Sequence, residues 1–253
     1  MTGRLKINNN EQFNLSGILP VLAFFSIIFI SCLSSAVKAE EFFALGTAFF
    51  ELKKYSDAEI WFLKAKNHPS TKVASEYNLG RIAYETGRYR DAENYFERVL
   101  HIDKENIIAL KAAAYTCIRL EELDRAEKYY KRILDLVPES YDEGYNYALV
   151  LSALGKAKEA ENVLVKYNNT ENPKALLIIA RAQKQQGKPE AADAYNASLL
   201  KDDDPAVRVE YAAYLAETGL STKALEEYKK ALESSKLSEE KKSEINKAIE
   251  ELK

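Results

Sequence analysis

Six alanines recur along the chain at a nearly constant spacing. The intervals between them are 34, 34, 34, 32 and 32 residues, and the alanines are Ala58, Ala92, Ala126, Ala160, Ala192 and Ala224. Similar stretches surround them, as in RIAYETGRYRDAENYFERVL (81–100) and CIRLEELDRAEKYYKRIL (117–134). A unit copied at a fixed period buries its apolar face against neighbouring copies of itself. The period therefore predicts a repeat architecture.

Each copy is predicted to be a pair of helices joined by a short turn. The chain is 47% hydrophobic and 30% charged, with 9 Gly and 6 Pro among 253 residues, a composition that favours helix. A glycine in the left-handed conformation ends a helix at little cost. Four glycines stand five residues before an alanine of the series, namely Gly87, Gly155, Gly187 and Gly219. Asn172-Pro173 and Asp204-Pro205 supply a helix N-cap followed by proline at the first helical position.

The first 39 residues are predicted to be a leader that precedes the repeats. Residues 18–33, ILPVLAFFSIIFISCL, form an apolar run, with Arg4 and Lys6 before it and Val37-Lys38-Ala39 after it. A positive start, an apolar middle and small residues at the two positions read by a signal peptidase are typical of a secretory signal. The expected cleavage point lies before Glu40.

Two alternatives to cleavage stay open. Phe29-Ile30-Ser31-Cys32 resembles a loose bacterial lipobox, in which Cys32 would be lipidated, although phenylalanine stands where leucine is usual. The apolar run could also be retained as a membrane anchor, although it is short for a bilayer of about 30 Å. All three outcomes place the body of the chain outside the cytoplasm, and a bacterial periplasm is the expected location.

The repeated pattern resembles that of the tetratricopeptide repeat (TPR) family, whose 34-residue unit has small and large residues at fixed positions. The first unit carries Phe42, Leu45, Gly46, Phe49, Ala58, Phe62 and Ala65, and the third carries Leu110, Ala114, Ala126, Tyr130 and Pro138. The last three units match more loosely. The resemblance implies an all-α fold, a right-handed α-solenoid of helix-turn-helix repeats.

The resemblance also sets the domain boundaries. It assigns a repeat domain over 40–238, with repeats at 39–72, 73–106, 107–140, 141–172, 173–204 and 205–238. Ser238 then opens a helix over 239–253 that carries an apolar stripe of Ile245, Ala248, Ile249 and Leu252. One apolar stripe and one charged face are what a C-terminal capping helix requires.

The sequence offers no motif for catalysis or for a cofactor. His68 and His101 have no second ligand at metal-binding spacing, and Asp202-Asp203-Asp204 reads as a solvated helix cap. Cys117 occupies a core position, where we expect a buried and inert thiol. The net charge of −3 does not favour nucleic acid as a partner. We therefore expect a protein that is not an enzyme and needs no cofactor.

Within the TPR resemblance, the first helix of each repeat lines a concave groove. Its groove positions hold the candidate partner-binding residues Phe43, Tyr77, Asn78, Arg81, Tyr84, Lys111, Tyr115, Arg119, Tyr145, Asn146 and Arg181. Aromatic side chains and arginines are the usual anchors of protein interfaces. The basic residues among them predict a partner segment with acidic or carboxylate groups. For each tyrosine, packing within its own repeat is the alternative.

These features predict a non-catalytic, extracytoplasmic adaptor that holds a peptide segment of a partner protein, in an envelope complex. The alternative is a ligand-binding component that closes around a small anionic solute and works with a membrane transporter. An open trough would favour the adaptor, and a closed pocket would favour the transporter component. Contact with a membrane is expected only through the N-terminal segment.

Overall fold

A computed structural model describes residues 18–167 and 169–252, with side chains from Ser34 onward except that of Thr170. Residues 1–17 of the predicted leader lie outside the described residues, and only the helical backbone of residues 18–33 is described. The side chain of Cys32 likewise lies outside the described part of the chain. Among the helices of the described part, none combines the length and the apolar character needed to cross a membrane.

The described residues form thirteen α-helices and one short 3₁₀ helix, with no strand among them. The α-helices are α1 (Ile18–Glu51), α2 (Tyr55–Ala65), α3 (Pro69–Glu85), α4 (Tyr89–Ile102), α5 (Ile107–Arg119), α6 (Leu123–Leu136), α7 (Tyr141–Ala153), α8 (Ala157–Lys166), α9 (Pro173–Gln185), α10 (Ala191–Lys201), α11 (Pro205–Glu217), α12 (Ser221–Leu232) and α13 (Glu239–Glu251). The 3₁₀ helix is Asn169–Glu171. This confirms the predicted fold class, an all-α solenoid of helix-turn-helix repeats. The chain divides into two compact units, one ending at Gly87 and one beginning at Arg88.

The first unit consists of α1, α2 and α3. Phe62 of α2 is fully buried, and α1 approaches its ring closely at Gly46, where a Cβ atom would lie only 2.8 Å from Phe62 Cδ1. A side chain at Gly46 would therefore force the two helices apart. Helix α1 continues without a break through the predicted cleavage point, and Glu40 accepts a hydrogen bond of 3.0 Å from Ser70 Oγ at the start of α3.

The second unit runs from α4 to α13 and repeats one packing rule. In four of its repeats, one alanine of the second helix is fully buried, and a large side chain four residues later fills the space beside it. Both residues of each pair are buried in Ala92 and Phe96, Ala126 and Tyr130, Ala160 and Leu164, and Ala224 and Tyr228. Spacing of i and i+4 places each pair on one helix face. The predicted period is thus confirmed for these repeats.

The fifth repeat departs from the predicted register by one residue. Ala191, not Ala192, is the fully buried alanine of α10, and Ala192 is partly exposed. Tyr195 stands four residues after Ala191 and is also fully buried. Tyr195 fills the position of the large side chain. Ala191, one turn before it, therefore takes the position of the small buried side chain. The prediction of Ala192 was wrong for this reason.

Helix ends follow the predicted turn chemistry. All four glycines of the predicted series have positive φ, between 67° and 80°. Lys53 and Glu121 take the same left-handed conformation at the turns that lack a glycine. Asn172 and Asp204 accept hydrogen bonds from the backbone N–H groups of Lys174 and Ala206, as N-caps do.

Helix α3 begins at Pro69, before residue 73, where the predicted second repeat starts. His68 caps α3 by accepting from Ser70 N at 3.3 Å, and Pro69 is the first helical residue. The pattern is the same cap followed by proline that opens α9 and α11, with histidine in place of Asn or Asp. The sequence therefore contained the signal for this helix start.

Helix α13 covers the last repeat, as predicted for a cap. Ser238 accepts a hydrogen bond of 3.2 Å from Lys241 N at the start of the helix. Ile245 and Ile249 are buried in one cluster with three residues of repeat six, namely Ala212, Tyr228 and Ala231.

Candidate functional site

The predicted groove residues belong to both compact units. We call those of the first unit the first-unit surface; they are Phe43, Thr47 and Phe50 on α1 with Tyr77, Asn78, Arg81 and Tyr84 on α3. We call those of the second unit the second-unit surface; they are Lys111, Tyr115 and Arg119 on α5, Tyr145, Asn146 and Leu149 on α7, and Arg181 on α9. In both, the first helices of the repeats supply the residues, as the TPR resemblance implied.

Arg81 is the best-defined side chain of the first-unit surface. Its guanidinium carbon lies 4.2 Å from the centre of the Phe50 ring, a distance that allows a cation–π interaction. Its Nη1 atom donates to Asn78 Oδ1 at 3.1 Å, while Asn78 Nδ2 donates to Ala74 O at 2.9 Å. The amide of Asn78 is thus engaged within its own helix, and Arg81 is oriented by an aromatic ring and an amide.

An open cleft of about 360 Å³ borders Arg81. Lys53 and Arg81 contribute positive charge to its walls, and Glu51 and Glu85 contribute negative charge. The remaining lining residues are Thr47, Phe50, Tyr55 and Asn78. The cleft is therefore balanced in charge. Burial raises the pKa of the nearby Tyr77, and the positive charge of Arg81 opposes that rise, so the phenol is neutral at physiological pH.

The phenol of Tyr77 is not unusual in this respect, since burial also raises the pKa of Tyr145 in the second-unit surface. Neither tyrosine has the lowered pKa expected of a catalytic base. Phe43 of the first-unit surface packs against Phe62 with ring centroids 5.4 Å apart, so part of its ring supports α2. These side chains can offer apolar contact and neutral hydrogen bonds.

Polar and aromatic contacts link α5 and α7 in the second-unit surface. Asn146 Nδ2 donates to the Tyr115 hydroxyl at 3.0 Å, and the Tyr115 ring meets the buried Tyr130 ring edge-on with centroids 6.4 Å apart. Tyr130 in turn stacks on Tyr147 at 6.5 Å. Tyr115 and Leu149 occupy the ninth position of consecutive repeats, and each is 42% exposed. A fixed aromatic base therefore carries the exposed ring of Tyr115, and Leu149 is exposed at the equivalent position of the next repeat.

Acids from the following repeat neutralise several basic groove residues. Lys111 forms an ion pair with Glu143, which is only 3% exposed. Arg181 donates to both carboxylate oxygens of Glu210, from Nε at 2.9 Å and from Nη2 at 2.7 Å. Lys184, another groove position, pairs with Glu217 at 2.8 Å.

These acids were not among the residues predicted from the sequence. Each stands 29 to 33 residues after its base, which is about one repeat, so a search for an acid one repeat onward would have found them.

Arg119 differs from these three bases. Its guanidinium lies over the Tyr89 ring, 4.9 Å from the ring centre, and Nη2 donates to the Tyr89 hydroxyl at 2.6 Å. Among the described residues it has no carboxylate partner. Arg81 and Arg119 therefore share one arrangement, a guanidinium held by an aromatic ring.

One cluster outside the first-unit and second-unit surfaces brings together atoms that could ligate a metal. Single ligand atoms of Glu93, Cys117 and Glu122 lie within 4.8 Å of one another. Arginines already balance the carboxylates, because Arg125 pairs with both glutamates and Arg90 pairs with Glu93 at 3.2 Å. Burial is the main reason that the pKa of the Cys117 thiol rises to about 12, and the thiol donates to Glu93 at 3.6 Å. A protonated thiol and arginine-bound carboxylates make this an internal ion-pair cluster.

Comparisons with known proteins point to one family. The model of a tetratricopeptide repeat family matches residues 77–141. No curated protein shows significant sequence similarity to the chain. Among solved structures, a tetratricopeptide repeat protein from Parabacteroides merdae superimposes with a TM-score of 0.67 and 21% identity, covering 85% of this chain and 88% of that one.

Two further solved structures share the fold. MamA protein aligns with a TM-score of 0.59 and 18% identity over 66% of this chain and 93% of that one. YrrB, described as a TPR protein with an unusual peptide-binding site, aligns with a TM-score of 0.59 and 16% identity over 66% of this chain and 87% of that one. At these identities the likeness concerns the fold.

Proposed function

This chain is a tetratricopeptide repeat protein, and from that premise we propose that it is a non-catalytic adaptor. Its groove-facing first helices hold a peptide segment of a partner protein. The observation that carries the proposal is the pair Tyr115 and Leu149, large apolar side chains left exposed at equivalent positions of neighbouring repeats. Exposed aromatic and apolar side chains on a rigid base are typical interface anchors.

The cleft beside Arg81 supports binding of an extended segment over enclosure of a small solute. It is open to solvent and balanced in charge, whereas a site for a small anion would be closed and positive. No described feature favours the transporter component, so the adaptor is the function that we propose.

Action outside the cytoplasm, in an envelope complex, is a further part of the proposal. It rests on the leader sequence, with its basic start, apolar middle and Val37-Lys38-Ala39. Expression in a secreting bacterium followed by intact-mass measurement tests it. The expected product begins at Glu40. Detection of a lipidated Cys32 or of an uncut chain would support one of the two alternatives to cleavage. A chain retained in the cytoplasm would overturn the proposed location.

Site-specific photocrosslinking tests the binding surface. A photoreactive phenylalanine analogue is placed at Arg81, Tyr115 or Asn146, and in matched variants at Asn94 or Lys128, which are exposed on second helices. Groove positions are expected to give one shared protein adduct, and the matched positions none. Adducts from the second helices alone would place binding on the outer face and overturn the proposal.

The choice of control positions matters because some outer charges are structural. Arg90 and Arg125 bond the buried Glu93, so replacing them would leave a buried carboxylate without its partners. Loss of binding in such variants would report unfolding. Asn94 and Lys128 carry no such role among the described contacts.

A further inference from the structure

We propose that the second-unit surface selects an uncharged, extended segment whose apolar side chains contact Tyr115 and Leu149. The inference rests on the proposed function and names the chemistry of the partner. It differs from the expectation of an acidic partner, because the charges of Lys111, Arg181 and Lys184 are already neutralised by glutamates of this chain.

The apolar part of the surface is preorganised. Tyr115 is held by Tyr130, which is fully buried and stacked on Tyr147. Leu149 is the equivalent residue of the next repeat, so the two exposed side chains are spaced by the repeat itself. A fixed side chain such as Tyr115 loses little conformational freedom on binding, which favours affinity. Tyr115 and Leu149, on the first helices of adjacent repeats, fit apolar side chains of one extended segment.

Asn146 supplies a hydrogen-bond acceptor between the two anchors. Its Nδ2 atom is bound to the Tyr115 hydroxyl at 3.0 Å, which fixes the amide. Its Oδ1 atom has no partner among the described residues, and Asn146 precedes Leu149 by three residues, on the same helix face. A carboxamide oxygen accepts hydrogen bonds. Asn146 Oδ1 is therefore placed to accept from a backbone N–H of the bound segment.

The charge pattern argues against acidic side chains at the centre of the segment. Glu143 is buried beside Lys111, so an incoming carboxylate would compete with an established ion pair and approach a second negative charge. Like charges brought together across an interface oppose binding and exclude the wrong partner. Arg119, four residues after Tyr115, is the exception, and a carboxylate of the segment is accommodated only beside it.

Fluorescence anisotropy with two pools of short synthetic peptides tests the inference on the full chain. One pool is randomised among Leu, Tyr, Phe, Asn, Ser and Gly, and the other has Asp and Glu in place of Leu, Tyr and Phe. The neutral pool is expected to bind more tightly, with little change between about 50 and about 500 mM NaCl, because salt screens charges and not apolar contacts. Tighter binding of the acidic pool, lost at high salt, would overturn the inference.

Variants assign the binding to named side chains. Tyr115→Ala and Leu149→Ser should each weaken binding of the neutral pool about tenfold, as expected of interface anchors. Lys128→Ala, at an exposed position on a second helix, should leave it unchanged, and circular dichroism checks that all variants stay helical. Unchanged affinity in the folded Tyr115→Ala and Leu149→Ser variants would overturn the assignment.

The two proposals fail in different ways. If neither pool binds while photocrosslinking still yields a groove adduct, the chemistry inferred for the segment is wrong and the adaptor function stands. If groove positions give no protein adduct, the adaptor function itself fails.

Discussion

Helix α13 covers the last repeat with Ile245 and Ile249, whereas the first repeat leaves Leu45 and Ile60 exposed, at 41% and 50%. The difference is clearest at one repeat position. Leu45 and Leu79 are both leucines at the seventh position of their predicted repeats, yet Leu79 is only 1% exposed. Sequence pattern alone thus marks a residue as apolar, and the neighbouring helix decides whether it is buried. A repeat obtains its stability partly from what adjoins it.

The largest expected effect on the free energy of unfolding comes from substituting one of these two leucines, Leu79. Leu79→Ala should lower the free energy of unfolding by about 3 kcal/mol, because it opens a cavity in a packed site. Leu45→Ala should cost less than about 1 kcal/mol, because water already reaches the side chain. Urea denaturation of the full chain measures both. Equal losses would show that Leu45 is covered in solution.

A slightly smaller effect is expected at the C-terminal cap. Ile245→Ala should destabilise α13 and the last repeat by about 2 kcal/mol, since Ile245 is buried against repeat six. Hydrogen exchange should quicken in α12 and α13 and little elsewhere, because repeat arrays open locally from their ends. Lys247→Ala, on the exposed side of α13, is the matched control. Uniform acceleration along the chain would argue against local opening.

The helix start of the cap gives the next test. Ser238→Ala removes the acceptor for Lys241 N and should cost about 1 kcal/mol, the usual value of an N-cap. Ser235→Ala, a nearby exposed serine outside the helix, should change little. Similar midpoints for the two variants in thermal denaturation would show that α13 does not depend on its cap.

The smallest effect concerns the charges that join the last two repeats. Burial alone would raise the pKa of Glu210, but hydrogen bonds from Arg181 and Tyr195 outweigh it and hold the pKa below its ordinary value of 4.5. A lowered pKa stabilises the fold above the unfolded value, and the stabilisation is lost as pH falls through the folded value. Glu210→Gln should therefore cost about 1 kcal/mol or less at pH 7.

Urea midpoints measured against pH check the sign of that effect. The difference between the wild type and Glu210→Gln should be constant near neutrality and shrink as the pH falls below about 4.5. A difference that grows on acidification would mean that the carboxylate is destabilising in the folded state.

Sequence predicted most of the backbone, because glycine and cap residues act locally. Gly87 and Gly155 adopt the expected left-handed conformation, and Ser238 opens the cap. The fifth repeat was placed one residue out of register because Ala191 and Ala192 are equally small. Only the packing of Tyr195 distinguishes them.

Charge pairing within the groove was less predictable. Arg181 is basic at a predicted groove position, which suggests an acidic partner, yet Glu210 of the next repeat accepts hydrogen bonds from its Nε and Nη2 atoms. That pairing depends on how neighbouring first helices face each other, which a single repeat does not encode. The residues assigned to partner binding remain predictions until they are tested by crosslinking.

The bonds that join neighbouring repeats have a consequence for folding speed. In the second unit, Arg125 to Glu97, Asn146 to Tyr115 and Lys184 to Glu217 span 28, 31 and 33 residues. Each contact closes a loop of about one repeat, so the entropy of loop closure stays the same at every step along the unit. A chain with such low contact order folds rapidly. Inserting a further repeat would add one more closure of the same size and leave the rate of each step unchanged.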